Sequence, residues 1–484
     1  MSAGNAINKY LLPTAGLLTA TTILFAFALQ YPFSTTFPIG GDAASHIRAA
    51  RSILNFFSSP GESLFTLKTS NYPLSYLFLA STKILPVSWP GRFVWWAAAG
   101  HVLTGFSLAA LLWRISSWRA AAAGLAIWAL TPIDITNHFE DGTIPQLWSL
   151  IFLFLSFERL IAGSTLGTLI MLFLTVLAHP LSGFVLITSL IMGVCPLFLV
   201  RHRLPARQTA LIKYTSILIA IPPALVLYKV FKISMGARLP VVEALSKDFF
   251  LFDILKSKFA PWLVLSLPGI AILVNKLRHN LPATTALLSF FWLSFLLTIN
   301  SAFNVGLWEN RFRTYFIAAA CLAAGLALPE LIRHALRPVG VRLLFLALLF
   351  GSLSALTWRD NAAVYRFYEY PANNARLPAG AQDAINWMSL NLPANSYIAS
   401  SAASRHAEWI PALTSFKWQD LNSKHALLSG QEDELPAFAN TDDNPFTHII
   451  FLTRQEDVNA TMLAHPDLFP VVFNNAAAVI IKLP

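Results

Sequence analysis

The chain has 484 residues, of which 56% are hydrophobic and only 12% are charged, and its mean hydropathy is +0.58. Soluble domains carry roughly 25% charged residues, so this composition excludes an ordinary soluble globular protein. The net charge of +10 lies mainly in short segments between apolar runs, and no basic run is interleaved with exposed aromatic residues. The charge therefore indicates membrane orientation and contact with anionic lipid headgroups, and it argues against a nucleic-acid partner.

Apolar runs long enough to cross a bilayer recur up to residue 357 and predict a polytopic α-helical membrane protein with about eleven spans. The predicted spans are 11–30, 92–113, 119–136, 143–160, 165–178, 182–200, 210–230, 259–275, 281–299, 312–333 and 341–357. The first run has only Lys9 before it and no small-residue cleavage site after it, so we expect a retained helix rather than a removed signal peptide. Cys195 and Cys321 lie within apolar runs and indicate neither a disulfide framework nor a metal site.

The segment 72–88 is apolar but contains Lys83 and is bounded by prolines. Counting it as a span would place the basic segment RISSWR outside and the acidic segment HFEDG inside, against the positive-inside rule. We therefore predict an interfacial helix there. With a cytoplasmic N-terminus, the outer loops are 31–91, 138–142, 179–183, 231–258 and 300–313. Every short polar cluster that suggests chemistry lies in these outer loops.

Residues 358–484 are polar, in contrast to the transmembrane domain predicted for residues 1–357. The sequence DAINWMSLNLPANSYIASSAA predicts a helix, a turn and a strand, and THIIFLTR predicts a further strand. The ending FPVVFNNAAAVIIKLP predicts a hairpin that turns at Asn474-Asn475. We therefore expect a small C-terminal α/β domain on the non-cytoplasmic side.

The sequence GGDAASHIRAAR follows the first span and places Asp42 directly after a glycine pair. The apolar spacing from Ala43 predicts an amphipathic interfacial helix over 43–57, with Arg48, Arg51 and Asn55 on its polar flank. Asp42 then occupies the N-cap, a position that Asp commonly fills. Two observations favour a catalytic role. The glycines allow close backbone approach to a ligand, and His46 lies one turn further on the same side of the helix. Both roles stay open, and Asp42 and His46 are candidate catalytic residues.

The outer segment NHFEDGTIPQ contains the adjacent acids Glu140 and Asp141 beside His138. Acids so close to hydrocarbon are costly unless they are paired, hydrated or bound to a cation. Glu140 and Asp141 are therefore candidate catalytic residues, and His138 is a candidate substrate ligand. The alternative is a simple Asp-Gly turn with Glu140 in solvent.

The segment VGLWENRFRTYF places Arg311 and Arg313 at the outer start of a span, against the usual orientation of basic residues. Because guanidinium groups suit bidentate recognition of phosphate, both arginines are candidate substrate-binding residues. Glu309, two residues before Arg311, is a further candidate. The alternative is an ion pair between Arg311 and Glu309, with Trp308 in the interfacial aromatic belt.

Two further outer residues are candidate substrate ligands. His179 in AHPLSGF ends a span, where a lone histidine is often an ordinary helix-end residue. Arg238 lies in the basic loop 231–258, which either guides an anionic headgroup or forms an ordinary interfacial segment.

Acids and arginines on one membrane face fit transfer from a lipid-phosphate donor. The arginines neutralise the phosphate leaving group, which has a low pKa and needs no general acid. A carboxylate takes the proton from the attacking acceptor hydroxyl. In a variant of this scheme, Asp42, Glu140 and Asp141 hold a divalent cation, since Mg²⁺ and Mn²⁺ favour oxygen ligands.

These residues resemble a known family. GGDAASHIRAAR resembles the first-loop motif of GT-C fold membrane glycosyltransferases, and Asp42-x-x-x-His46 is similar to a pattern in oligosaccharyltransferase subunits. NYPLSYLFLAST followed by GRFVWW resembles the juxtamembrane helix of the family, and FPVVFNNAAAVIIKL is similar to its closing hairpin. The chain is also distantly similar to protein mannosyltransferase-like enzymes.

The resemblance implies inverting transfer of a sugar from a polyprenyl-phosphate donor to a lipid, glycan or polymer hydroxyl, on the non-cytoplasmic face of the plasma (inner) membrane. Asp42 would be the base or metal-binding acid, and Glu140 and Asp141 would stand for the second-loop acids. The sequence departs from the family in two places. The second loop has Glu-Asp rather than a spaced D-x-D pair, and SSAASRHAEWIPA stands where oligosaccharyltransferases carry W-W-D-Y-G. Transfer to protein asparagine is therefore not expected.

Other function classes stay open. One is a lipid or solute transporter or a non-catalytic assembly subunit, and another is a lipid-linked polysaccharide polymerase or ligase. A transporter would place polar groups near the midplane of broken helices. Their clustering at one surface favours the glycosyltransferase.

Overall fold

A computed structural model describes the larger part of the chain. The described residues are 3–35, 38, 43–55, 72–131, 143–203, 208–209, 257–300, 309–336, 338–369, 377, 379–401, 409–421, 446–452, 466–467, 469–475 and 477–483. The chain divides into two compact units. The first unit comprises residues 1–36, 67–85 and 94–365, and the second comprises residues 37–66, 86–93 and 366–484.

Helices dominate the chain up to residue 369. In chain order they are α1 (Ala3–Ser34), α2 (Ala43–Leu54), α3 (Pro73–Ser81), α4 (Trp89–Ile115), α5 (Trp118–Ala129), α6 (Ile144–Ile161), α7 (Thr165–Ala178), α8 (Pro180–Val194), α9 (Ala260–Leu277), α10 (Leu281–Thr298), α11 (Glu309–Ala335) and α12 (Val339–Glu369). Short 3₁₀ helices follow α3 at Thr82–Ile84 and α8 at Cys195–Arg203.

Within the described residues, eight helices are long and apolar enough to cross a bilayer, namely α1, α4, α6, α8, α9, α10, α11 and α12. The chain is therefore an integral α-helical membrane protein. The predicted count of about eleven spans is not confirmed. The span expected at 210–230 lies outside the described residues, and α5 and α7 have only 12 and 14 residues in the described ranges.

Helix α12 differs from the expected span 341–357, because it continues to Glu369. The added sequence WRDNAAVYRFYE is polar but contains no Gly or Pro, so helix propensity persists where hydropathy falls. Hydropathy thus marks where a segment leaves an apolar environment and not where its helix ends.

Helix α3 has nine residues, which cover only about 14 Å at 1.5 Å per residue, less than half of a bilayer core of roughly 30 Å.

Helix α11 is the most deeply buried span of the first unit, with 83% of its apolar window enclosed by protein. Small residues allow this close enclosure. Ala323 and Ala324 are at most 1% exposed, and Gly325 lies in direct backbone contact with a neighbouring helix. A Cβ atom built on Gly325 would lie 2.9 Å from the Cα of Gly124 in α5, and one built on Gly269 in α9 would overlap the carbonyl oxygen of Ala323. Close approach of backbones through small residues is the usual basis of helix association in lipid.

Polar contacts between helices of the first unit cluster at two opposite ends of those helices. At the end we call the site end, Ser75 Oγ donates to the carbonyl of Ala178 at 2.9 Å, and Gln30 Nε2 donates to the carbonyl of Trp358 at 2.9 Å. At the end we call the basic end, Arg114 pairs with Glu158, Lys276 pairs with Glu330, and Asn280 bonds to the carbonyl of Ile161. Helices α6 and α11 each run from the site end to the basic end.

The second unit contains a mixed sheet whose strands are β1 (Tyr397–Ser401), β2 (Lys417–Leu421), β3 (His448–Phe451), β4 (Val471–Asn474) and β5 (Val479–Lys482), in the order β2-β1-β3-β5-β4. Strand β1 pairs in parallel with β2 and β3, and β5 pairs antiparallel with β3 and β4. Two helices accompany the sheet, α13 (Ala379–Asn391) and α14 (Trp409–Leu413).

The predicted C-terminal α/β fold is confirmed, including the terminal hairpin. The side-chain oxygen of Asn475 accepts from the backbone N–H groups of Ala477 and Ala478, which closes the turn between β4 and β5. Strand β2 was not predicted, because KWQDL is short and polar at its centre. Its pairing with β1 and the bond from Trp418 Nε1 to Ser400 Oγ at 2.9 Å supply the stabilisation that its sequence pattern does not reveal.

We expect the substitution Gly269→Ala to lower the apparent Tm of the detergent-purified protein, because the new methyl group meets backbone atoms of Ala323 that cannot rotate away. Overpacking of this kind costs about 1–3 kcal/mol. A thiol-reactive dye that detects exposure of the buried Cys321 would follow unfolding. The matched control is Gly351→Ala in α12, where a Cβ meets no atom within 4 Å. Equal Tm values for the two variants would contradict this account of the α9–α11 contact.

Candidate active site

Helix α2 belongs to the second unit and begins at Ala43, directly after the candidate Asp42, which lies outside the described residues. The predicted apolar stripe is confirmed for the described part, since Ala43, Ile47 and Ala50 are buried. His46 is also buried, and its ring stacks on Phe93 with 6.0 Å between centroids and 17° between planes. The structure therefore gives His46 a packing role beside the catalytic role predicted for it.

Arg51 departs from the expectation of a solvated polar flank on α2. Its Nη1 donates to the carbonyl oxygen of Ala412 in α14 at 2.6 Å, and burial lowers the pKa of its guanidinium. Arg48 on the same helix is exposed, as expected. The flank is solvated on one side only, because α14 packs against α2. This contact fixes the helix that follows Asp42.

In the first unit, His179 lies in extended backbone between α7 and α8 and is 2% exposed. Its Nδ1 accepts from the backbone N–H of Ser182 at 3.4 Å, so the imidazole caps α8, while Pro180 occupies the first turn. The ring stacks on Tyr72 with 4.9 Å between centroids and 1° between planes. The helix-end role that the sequence left open for His179 is thus present in the structure.

Ser182 links three helices at the site end. Its hydroxyl lies 3.4 Å from His179 Nδ1 and 2.5 Å from the hydroxyl of Tyr315 in α11, and it also forms a short hydrogen bond with Ser149 in α6. Ser149 Oγ in turn donates to the carbonyl of Gln146 at 2.5 Å. All of these side chains are buried, so the hydroxyl and imidazole groups satisfy one another away from water.

Arg311 joins this network through its backbone and through its position on α11. Gln146 Nε2 donates to the carbonyl of Arg311 at 2.6 Å. Arg311 and Tyr315 are four residues apart and share a face of the helix, and the guanidinium lies within electrostatic range of the Tyr315 hydroxyl. Arg313 lies two residues along, on another face, and is 6% exposed. The structure therefore brings Arg311 and His179 into one cluster and turns Arg313 away from it.

Sequence reasoning missed the members that hold this cluster together, namely Gln146, Ser149, Ser182 and Tyr315. A signal was available, because each is a polar residue in the first turns of an otherwise apolar helix, and three of them lie in segments already chosen for other residues. The missing information was their convergence, which depends on how α6, α8 and α11 pack.

Several candidate residues lie outside the described ranges, namely Asp42, His138, Glu140, Asp141 and Arg238. Glu309 begins α11, but only its backbone is described. In the part of the chain that the structure describes, no three His, Cys, Asp or Glu side chains are grouped as a cation site. The three acids predicted to hold a cation are outside that part, so their predicted role stays a prediction.

The described cluster offers neutral donors and acceptors next to one arginine. Such a surface suits an anionic phosphate oxygen, because the guanidinium supplies charge and the hydroxyl network holds α11 in place. Proton acceptance from a nucleophile requires a general base, and the carboxylates predicted for that role lie outside the described residues.

Solved structures share this fold. The archaeal oligosaccharyltransferase AglB from Archaeoglobus fulgidus, in complex with an inhibitory peptide and a dolichol-phosphate, superimposes with a TM-score of 0.56 at 13% identity, over 94% of this chain and 71% of its own. ArnT from Cupriavidus metallidurans bound to undecaprenyl phosphate gives a TM-score of 0.58 at 12% identity, over 99% and 98% of the two chains. Apo ArnT gives 0.59 at 12% identity, over the same shares of the two chains.

AglB and ArnT are both GT-C fold membrane glycosyltransferases. The chain therefore has the GT-C fold, which the first-loop motif led us to expect. No protein-family model and no curated protein matches the sequence.

We expect Ser182→Ala to lower the apparent Tm, because it leaves the Tyr315 hydroxyl and the His179 imidazole without a shared partner in a buried site. Removing one member of a buried hydrogen-bonded group costs about 1–3 kcal/mol. The control is Ser189→Ala on the same helix, where the buried hydroxyl bonds, among the described residues, only to the carbonyl of Val185 in its own helix, at 2.7 Å. A Tm loss for Ser182→Ala no larger than that of the control would show that the network does not stabilise the site end.

Proposed function

We propose that the protein is an inverting glycosyltransferase that moves a sugar from a polyprenyl-phosphate donor to a hydroxyl of a lipid, glycan or polymer. We place the reaction on the non-cytoplasmic face of the plasma (inner) membrane. The observation that carries the proposal is Arg311 at the start of α11, tied to a buried hydroxyl network at the site end. The fold supports it, because structures with this fold hold dolichol-phosphate in one case and undecaprenyl phosphate in another.

In the proposed reaction, the acceptor hydroxyl oxygen attacks the anomeric carbon while the bond from that carbon to the phosphate oxygen breaks. The electron pair of the broken bond leaves on the polyprenyl phosphate, and attack from the opposite side inverts the anomeric configuration. Arg311 neutralises the charge that develops on the phosphate, so this leaving group needs no proton. Asp42 takes the proton of the acceptor hydroxyl.

The packing of α2, the helix that follows Asp42 in the chain, supports the role proposed for that residue. Asp42 directly precedes Ala43, the first residue of α2. Helix α2 is held within its own unit by the buried stripe and by the bond from Arg51 to Ala412. We propose that a base next to a packed helix needs little reorganisation when the substrate binds, which would favour catalysis.

We propose that further candidate residues position Arg311 or contact the substrates. His179 and Gln146 position Arg311 through the network, and Arg313, Glu309, His138 and Arg238 are proposed to contact the donor or the acceptor. Glu140 and Asp141 are proposed as second-loop acids that act with Asp42. In the variant scheme these three acids hold Mg²⁺ or Mn²⁺, although no step above is routed through a cation.

We expect Asp42→Asn to reduce sugar transfer by about 10²–10⁴-fold, the usual contribution of a general base. Purified protein in vesicles with a radiolabelled polyprenyl-phosphate sugar gives the measurement, read as loss of donor and gain of glycosidic product. The control is Asp383→Asn, which makes the same chemical change at an exposed position of α13. Undiminished transfer by a folded Asp42→Asn variant would contradict the assignment.

The same assay separates the competing functions. Flux of lipid or solute with no glycosidic product would indicate a transporter, and joining of whole lipid-linked glycans would indicate a polymerase or ligase. Loss of transfer in EDTA with recovery in Mn²⁺ or Mg²⁺ would assign Asp42 to a cation rather than to direct proton transfer.

We expect Arg311→Gln to reduce transfer by about 10²–10³-fold, because a preorganised donor to the leaving phosphate is lost. Arg311→Lys restores the charge without the planar fork and is expected to recover part of the activity. The control is Arg359→Gln, since Arg359 in α12 is 70% exposed and pairs only with its neighbour Asp360 among the described residues. Equal activity of the Gln variant and the wild type would exclude a phosphate role for Arg311.

A further inference from the structure

A cleft lies at the basic end of the first unit, remote from the cluster around Arg311. It is shallow, with about 30 Å³ of enclosed space, and it lies between the turn that joins α4 to α5 and the last turns of α11. Its polar lining consists of Ser116, Ser117, Arg119, Glu330 and Arg333. Helix α11 has 27 residues, or about 40 Å at 1.5 Å per residue, so this cleft and the candidate active site lie on opposite membrane faces.

The cleft has an excess of positive charge. Arg333 Nη2 pairs with Glu330 Oε2 at 2.9 Å, and Lys276 Nζ pairs with Glu330 Oε1 at 3.4 Å. One carboxylate is therefore shared by two cations, and Arg119 adds a third. Glu330 also orients the Arg333 guanidinium, so the arginine is presented in a defined position rather than as a free surface charge.

Arg119 is held by a different contact. Its guanidinium carbon lies 5.3 Å from the centre of the Trp118 ring, a cation–π arrangement that leaves the N–H edge of the group available. The Ser116 and Ser117 hydroxyls add donors, since Ser117 precedes α5 in extended backbone and its side chain does not cap the helix. Two guanidinium groups and two hydroxyls around one cleft form a surface for a phosphate group.

The surroundings of the cleft are those of a membrane surface. Trp113 is 56% exposed one turn before Ser116, and Leu331, two residues before Arg333 and on another face of α11, is 40% exposed. Tryptophan and leucine at the ends of spanning helices lie at the level of lipid headgroups and the upper acyl chains. A ligand with a phosphate and apolar chains would therefore contact both parts of this surface.

We propose that this cleft binds the headgroup phosphate of an anionic phospholipid in the leaflet opposite the candidate active site. Arg119 and Arg333 contact the phosphate, Ser116 and Ser117 donate to it, and the acyl chains lie along Trp113. The site does not depend on the proposed transferase activity, because it uses other residues at the other end of the helices. Its effect is to fix the position of α5 against α11 at the membrane surface.

The test is the affinity of the full-length, delipidated protein for phosphatidylglycerol and for phosphatidylcholine, measured by native mass spectrometry in detergent. Basic residues near an anionic surface contribute about 1 kcal/mol each. We expect Arg119→Gln to weaken phosphatidylglycerol binding about fivefold and the double variant with Arg333→Gln to weaken it about 30-fold. Phosphatidylcholine binding should change less than twofold. Arg119→Lys with Arg333→Lys should retain most of the preference.

The matched control is Arg278→Gln, which removes an exposed arginine at the same end that bonds to His279. We expect this control to retain phosphatidylglycerol binding within twofold. An equal loss in the control would show attraction to surface charge in general and would overturn the proposal. Unchanged lipid affinity in the double variant would also overturn it.

Inorganic phosphate that displaces phosphatidylglycerol at millimolar concentration would assign the cleft to soluble anions, against the lipid. If the double variant does not fold, Arg119→Gln alone decides, since Arg119 is exposed and stacks only on Trp118 among the described residues.

Discussion

The close packing of α11 against its neighbours is the constraint on which the rest of the first unit depends. Gly325 meets Gly124 of α5, and Ala323 meets Gly269 of α9 through backbone atoms. Lipid supplies no hydrophobic force to bring helices together, so these contacts must come from shape. Once α11 is placed, its first turns carry Arg311 and its last turns carry Arg333, which positions a polar group at each membrane face.

The buried network at the site end follows from the same packing. Ser149, Ser182 and Tyr315 come from three helices and bond to one another where water is excluded. Each hydroxyl alone would be costly in such a place, and together they satisfy their donors and acceptors. A network of this kind stabilises a single arrangement of the helix ends, as the phosphate-binding role proposed for Arg311 would require.

Prediction from sequence succeeded where one segment decides its own structure. The segment 165–178 is a helix with the predicted bounds, although α7 is too short to count as a span, and Ala43, Ile47 and Ala50 are buried as their helical spacing predicts. Prediction failed where contacts with another segment of the chain determine the structure. Strand β2 exists because β1 pairs with it, and Arg51 is half-buried because α14 covers it. Helix α12 continues past its predicted end because helix propensity persists where the hydropathy of the sequence falls.

The sequence by itself determined that the chain is a membrane protein with a small α/β domain, since hydropathy and periodicity are summed over long windows. It also marked Arg311 and His179 as residues of interest. Only the tertiary structure decided that these two share one cluster and that Ser182 joins its members. The physical reason is distance along the chain. Residues more than 100 positions apart, such as Ser182 and Tyr315, meet only through helix packing, and no local pattern encodes that meeting.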